Sequence, residues 1–453
     1  MATVLDLIGG TPLIEATGLD CGPCRLFLKL ESANPSGSIK DRPARAMIEK
    51  AEADARLKPG GTIVEATAGN TGLGLALVGA RKGYRILLVV PDKMAREKVL
   101  HCKAIGAEVI ITRSDVGRGH PDYYQDLAQS IAVRTPGALF INQFANPANP
   151  QAHEDTTAPE IFQQMQGRID AVVVGVGSGG TLTGIGRFMV KNSPATRMIL
   201  ADPVGSILAP FVETGQVSKA GSWVVEGIGE DFIPPNADLK LVHKAYAIPD
   251  SESFATARQL LRSEGVLGGS SSGTLLAAAL RFCREQDRPL RVVTLVCDSG
   301  AKYLSKVFNP IYAAQEGWDH ERHGCVRDVV FARFAAGEEI TVHPEDPLRV
   351  AFLRMRVGDV SQLPVVDGDR IVGLVDESDM LSAVLEGSDR AFDLPVKEVM
   401  ATRLETISAD APIRDLVPLF RRNLVAIVMD GGNFLGIATR LDLINYFRIA
   451  KTR

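Results

Sequence analysis

Along the first two-thirds of the chain, short apolar runs alternate with stretches whose apolar residues recur at helical spacing. Residues 26–30, 86–91, 108–112, 171–175, 197–201 and 291–297 are mostly aliphatic, often β-branched, and of strand length. Residues 44–55 read as a helix and residues 94–105 as an amphipathic one. Most of these runs are continuous rather than alternating, which predicts strands buried on both faces of a largely parallel sheet covered by helices. Sheets of this kind bind ligands outside the carboxyl ends of their strands. The expected class over residues 1–310 is therefore α/β.

The pattern breaks at residues 311–325, a charged and aromatic stretch without a clear period, which reads as a linker. Beyond it the chain repeats itself. Val365-Val366-Asp367-Gly368, Gly373 and Asp379 return as Val428-Met429-Asp430-Gly431, Gly436 and Asp442, at a constant spacing of 63 residues. A repeat of that period predicts stacked units that bury a joint core. Two small modules are expected, at residues 326–388 and 389–453.

Composition then narrows the function classes. The chain has 453 residues, 45% hydrophobic and 23% charged, ordinary for a soluble globular protein of several domains. A net charge of −4 gives no electrostatic reason to expect nucleic acid or an anionic membrane as partner. No apolar run approaches the ~20 residues that a bilayer span needs. The start lacks the basic and apolar regions of a secretory signal, and six cysteines in so long a chain do not make a disulfide framework. A cytoplasmic location is expected. Cys21-Gly22-Pro23-Cys24 has redox-motif spacing, but a strand-like run follows it where a reactive thiol would want a helix N-terminus. A surface turn is the expectation there.

The candidate chemistry lies just after strand-like runs. Asn34-Pro35-Ser36-Gly37-Ser38-Ile39-Lys40-Asp41-Arg42 sets Lys40 in a loop of small, turn-forming residues. A lysine amine can form a Schiff base with a carbonyl and, once freed, act as a general base. Alone, Lys40 would read as a surface lysine; three further segments change that. Thr67-Ala68-Gly69-Asn70-Thr71-Gly72 offers hydroxyls and backbone to an amino-acid carboxylate, with Asn70 able to bond a ring hydroxyl. Gly177-Ser178-Gly179-Gly180-Thr181 follows a strand and opens a helix, where N–H groups suit a phosphate. Ser299, after Cys297-Asp298, can meet a pyridine nitrogen without holding it protonated, which suits β-elimination and replacement. Gly175, Gly177 and Gly180 with Asp202 also satisfy the dinucleotide fingerprint. That reading leaves Lys40, Asn70 and Ser299 without work, whereas a pyridoxal-phosphate site gives each a role. A third reading keeps the glycines only for tight helix–strand packing.

These segments resemble the fold-type-II, tryptophan synthase β-like pyridoxal-phosphate enzymes of the cysteine and cystathionine synthase group over residues 1–310. The resemblance extends to Ile8-Gly9-Gly10-Thr11-Pro12-Leu13, residues 94–106 and 142–159, Glu226-Gly227-Ile228-Gly229 and Gly268-Gly269-Ser270-Ser271-Ser272. It implies a two-subdomain catalytic core with Lys40 as the Schiff-base lysine and Asn70 at the ring hydroxyl. It further implies Gly177, Ser178, Gly179, Gly180 and Thr181 at the phosphate and Ser299 at the ring nitrogen. Thr67, Gly69, Thr71, Gln143 and Gly227 would meet the substrate. The tail resembles a pair of cystathionine β-synthase-type regulatory modules, which implies an adenosyl effector such as S-adenosylmethionine, with Thr439 and Asp442 as ligands. Asp376 stands in the first repeat where threonine or serine is usual; Glu230 and Ala68 depart from the family pattern near the substrate. The implied reaction condenses serine or O-acetylserine with homocysteine to cystathionine, in a homodimer or higher oligomer. A cysteine synthase using sulfide and a catalytically vestigial ligand sensor are the alternatives. No haem and no metal are expected.

Overall fold

The structure is a computed structural model that describes residues 2–67, 69–92, 94, 96–318, 323–386 and 390–452. The chain divides into two compact units, residues 1–308 and 309–453.

In the first unit the apolar runs become two sheets. The larger has the order β1 (Leu13–Ala16), β2 (Arg25–Leu30), β10 (Arg291–Val296), β7 (Ala171–Gly175), β8 (Arg197–Pro203) and β9 (Val242–Ile248). Its pairs are parallel except β1 with β2. The smaller, β5 (Glu108–Thr112), β4 (Arg85–Pro91), β3 (Thr62–Ala66) and β6 (Ala138–Phe140), is parallel throughout. The chain begins in the large sheet, leaves it after β2 to build the small one, and returns at β7. All five residues of β3 are buried, the polar Thr62 and Glu65 among them. Met47, Ile48, Ile63, Leu73, Leu75 and Leu88 fill the core between the small sheet and its helices.

Helix α1 (Asp41–Ala53) starts three residues earlier than the pattern predicts, because the Ser36 N–H donates to Asp41 Oδ2 at 2.7 Å and its hydroxyl donates to Oδ1. It ends before Ala55, whose φ is +55°. The segment read as an amphipathic helix is shorter, Arg96–Ala104, and buries Lys98 and Cys102 while Leu100 is exposed. Tertiary partners for Lys98, described below, override the local pattern.

The turn expected at Cys21 and Cys24 forms, with the Cys24 N–H donating to the Cys21 carbonyl at 3.2 Å and Gly22 and Pro23 exposed, but both cysteine side chains are buried rather than on the surface. The turn lies against the end of helix Ser270–Arg284, with the Cys24 thiol 3.5 Å from the Cys283 carbonyl. Burial pushes the Cys21 thiol up to about 11, the mark of a packing cysteine rather than a nucleophile.

In the second unit the repeat is structural. β11 (Gln362–Asp367) pairs antiparallel with β12 (Arg370–Asp376), and β14 (Ala426–Asp430) pairs antiparallel with β15 (Asn433–Ala438) while β13 (Thr406–Ser408) joins β14 in parallel. Register shifts fall at Val365/Val366 and at Val428/Met429, equivalent points of the repeat. They precede Gly373 and Gly436, where a Cβ would overlap Met400 Sδ or come within 2.5 Å of the Ala332 carbonyl. Asp376 and Thr439 each open a helix, taking N–H groups from Asp379 and Asp442 and donating their own to those carboxylates. Residues 311–325 begin inside a short helix, Pro310–Gln315. Among the described residues no helix is long and apolar enough to cross a membrane.

Candidate active site

The sequence-predicted residues of the first unit converge from the carboxyl ends of five strands. β2, β10 and β7, adjacent in the large sheet, deliver Lys40, Ser299 and the glycine loop; β3 and β6, adjacent in the small one, deliver the Thr67–Asn70 turn and Gln143. The Lys40 and Ser299 loops are tied together by Ile39 N–H to the Cys297 carbonyl (2.9 Å) and Ser299 N–H to the Gly37 carbonyl (3.0 Å).

Among the described residues, the Lys40 amine has no hydrogen-bond partner. Burial lowers its pKa from 10.5, opposed by the negative ends of Cys297, Asp298 and Glu230. A larger neutral fraction at neutral pH makes it a better nucleophile and base.

Helix Gly180–Asn192 follows β7 through Gly179, whose φ is +86°. A Cβ at Gly177 would stand 2.5 Å from the Gly227 carbonyl, one at Gly179 2.6 Å from Ala237 N, and one at Gly180 would overlap the Asn149 amide. The backbone N–H groups of residues 177–181 donate to no protein acceptor among the described residues, so the helix N-terminus offers a row of donors to an anion. Asn149 Nδ2 donates to Ser178 Oγ at 2.9 Å, and Thr181 Oγ1 lies 3.3 Å from His153 Nε2. Burial, then the charges of Lys40 and Arg42, hold His153 well below its ordinary pKa.

Thr67 Oγ1 accepts from the N–H groups of Gly69 (3.1 Å) and Gly72 (3.3 Å). Thr71 Oγ1 donates to Gln143 Oε1 at 2.7 Å, and Gln143 Nε2 donates to the Ala66 carbonyl. Gly69 has φ +128°, and a Cβ there would meet the Lys98 side chain at 2.6 Å. Beneath this loop Glu65, fully buried, accepts from Ala66 N and Gln143 N; burial pushes its carboxyl up to about 8. Ala68 lies outside the described residues. Asp202 is inside β8, buried and accepting from Ala209 N at 2.8 Å. It caps the following helix through Oδ2 and is wholly buried, which leaves no exposed carboxylate for the ribose contact of the dinucleotide reading.

Sequence reasoning missed two buried charge clusters. Lys29 donates to Glu160 (2.8 Å), and Arg42 pairs with both Glu31 and Glu160. A lysine inside an otherwise apolar central strand was the available signal, since such a charge must be paired. Beside Asn70, Asp298, Tyr303, Lys302, Lys98 and Glu226 form the second cluster, drawn from three distant segments with no local pattern. Glu230, held through its backbone N–H to Ser206 Oγ, carries its carboxylate 3.9 Å from where a Gly177 Cβ would stand. A cleft of about 640 Å³ lined by Ile8, Arg45, Glu49, Pro147 and Gln151 includes none of the predicted site residues. In the second unit Thr439 Oγ1 donates to Asp442 Oδ2 at 2.6 Å. Burial pushes the nearby Glu339 carboxyl up to about 7, with Asp442 adding to the rise.

An unpartnered lysine amine and an unpaired row of N–H groups across one site suit pyridoxal phosphate, one for its aldehyde and the other for its phosphate. Residues 4–298 match the family model of pyridoxal-phosphate dependent enzymes, and residues 326–386 and 396–449 match the CBS domain. The chain is 34% identical to a cystathionine beta-synthase of Dictyostelium discoideum, over 98% of this chain and 92% of that one. It is 39% identical to cysteine synthase A of Escherichia coli, over 68% of this chain and 96% of the other. A solved hydrogen sulfide-producing enzyme from Fusobacterium nucleatum superposes with a TM-score of 0.63 at 34% identity, covering 67% of this chain and all of that one.

Proposed function

Because the chain belongs to the pyridoxal-phosphate-dependent enzymes, in the group of the cystathionine beta-synthases, we propose that it joins serine, or an O-acylated serine such as O-acetylserine, to homocysteine. The observation that carries this reading is the joint presence of the Lys40 site and the paired tail modules, because cysteine synthase A of Escherichia coli aligns with only 68% of the chain. We assign pyridoxal phosphate to Lys40, Asn70, Ser299 and the backbone of residues 177–181. When bound, it supplies an electron sink that acidifies the substrate's α-hydrogen.

The chain's own groups do the rest. Thr67, Gly69, Thr71 and Gln143 hold the substrate carboxylate, with Gly227 closing over the glycine loop. Lys40 Nζ, once displaced by the substrate's amine, accepts the α-proton. The resulting ammonium then returns that proton to the departing β-oxygen. Homocysteine's thiol gives its proton to Lys40 Nζ as its sulfur bonds the vacated β-carbon, and Lys40 passes that proton to the α-carbon. For the tail we propose an adenosyl ligand without phosphate, such as S-adenosylmethionine, at Thr439 and Asp442. The carboxylate of Asp442, and those of Asp376 and Asp379 at the equivalent place in the first module, would repel a phosphate. Six free cysteines suit the reducing cytoplasm, and a homodimer or higher oligomer is the expected assembly.

The test offers purified protein homocysteine and sulfide in competition, with serine and then O-acetylserine as donor, and reads products by mass spectrometry. Cystathionine should dominate; cysteine as the main product would overturn the assignment.

A further inference from the structure

The buried cluster beside Asn70 carries an assignment beyond the residues that would touch cofactor or substrate. The Asn70 amide is held at both ends: Nδ2 donates to Asp298 Oδ2 at 2.6 Å, and Oδ1 accepts from Lys302 Nζ at 2.8 Å. An ammonium can only donate and a carboxylate can only accept, so these partners fix which way round the amide stands. Flipping it would set an NH2 group against an ammonium and an oxygen against a carboxylate.

The clamp is itself anchored. Tyr303 donates to the same Asp298 oxygen at 2.6 Å and accepts from Lys98 Nζ at 2.7 Å; Lys98 and Lys306 both pair with Glu226, at 2.8 and 2.7 Å. Lys98, Lys302, Asp298, Tyr303 and Glu226 are each at least 90% buried. The ammonium groups of Lys98, Lys302 and Lys306 face the carboxylates of Asp298 and Glu226, with Asp41 acting on Lys302 from the other side. Burying so many charges costs more than an apolar core of the same shape, and a fixed electrostatic field around Asn70 is what they provide.

We infer that Asp298 and Lys302 are positioning residues for the cofactor: they hold the Asn70 amide so that its second Nδ2 hydrogen serves the ring hydroxyl, and the Lys302 ammonium on the other end of that amide favours the hydroxyl's ionised form. This rests on the reading that Asn70 meets the ring hydroxyl.

The test compares Lys302→Gln, Lys302→Arg, Asp298→Asn and Asn70→Ala, all as full chains. Two readouts besides turnover are taken: the visible absorption of the holoenzyme, which separates ionised from neutral ring hydroxyl, and cofactor affinity by titration of the apoprotein. Lys302→Gln should shift absorption toward the neutral hydroxyl, and both Lys302→Gln and Asp298→Asn should weaken cofactor binding about tenfold or more, the weight of a charged hydrogen bond. Lys302→Arg should restore both. Wild-type spectra and affinity in the first two variants, beside altered ones in Asn70→Ala, would overturn the inference alone. Unchanged values in Asn70→Ala would overturn the underlying reading of Asn70. Should Lys302→Gln not fold, Asp298→Asn, an isostere of the native carboxylate, decides.

Discussion

Replacing Glu65 by glutamine tests whether the floor of the substrate loop holds a neutral carboxyl. Glu65 is wholly buried and accepts from Ala66 N at 2.9 Å and Gln143 N at 3.2 Å, and burial raises its pKa from 4.5 to about 8. With the folded pKa above the unfolded one, the unfolded chain releases this proton first. Stability therefore falls as pH rises through that interval and levels off above it. The interval corresponds to a loss on the order of 5 kcal/mol. Glutamine does not titrate, but it turns an NH2 group toward one of the two N–H donors and leaves it unsatisfied, at about 2 kcal/mol. The variant should thus be less stable than wild type near pH 5, equal to it at about pH 6, and more stable at pH 8. Urea unfolding of both proteins across this range gives the difference directly, since titrations common to the two cancel. A difference that stays flat from pH 5 to 9 would refute the buried neutral carboxyl.

Lys40→Ala should abolish turnover and leave the unfolding midpoint unchanged; normal turnover would dismiss the lysine's role. Gly177→Ala sets a methyl 2.5 Å from the Gly227 carbonyl, a backbone atom that must move. The strain, about 1–3 kcal/mol, should weaken cofactor binding by roughly 5- to 150-fold in an apoprotein titration. Glu160 has its pKa brought down to about 2, Arg42 and Lys29 outweighing the rise that burial causes. Its contribution is full above 4.5 and lost as pH falls through about 2. Glu160→Gln should therefore cost on the order of 3 kcal/mol at pH 7, with the gap closing in acid. A urea-derived loss under about 1 kcal/mol at pH 7 would contradict that pairing.

What the chain discloses locally is what depends on neighbours in sequence. The continuous runs behind β4, β7 and β10 and the glycine loop needed no tertiary information, because buried parallel strands and helix N-termini have one-dimensional signatures. Lys40 became legible through its company, the Thr67–Gly72 segment, the glycine loop and Ser299. The failures share a cause. Lys98 looks like the polar face of a helix, yet its partners Glu226 and Tyr303 lie 128 and 205 residues away. Cys21 and Cys24 look like a turn, but helix Ser270–Arg284 covers them. Glu31, Arg42 and Glu160 carry the charges that usually mark surface, and only the fold reveals that they neutralise one another inside it.

The two sheets divide the work at the site. Lys40, Ser299 and the glycine loop hang from adjacent strands of the large sheet; most of the proposed carboxylate contacts hang from adjacent strands of the small one. Inheritance can therefore act on them separately. Substitutions along the ends of β3 and β6, Asn70 excepted, can retune how the substrate is held while the cofactor's anchorage stays as it is. A lineage can exchange substrates without passing through an ancestor that has lost its cofactor, and a laboratory library confined to those two strand ends should search the same territory.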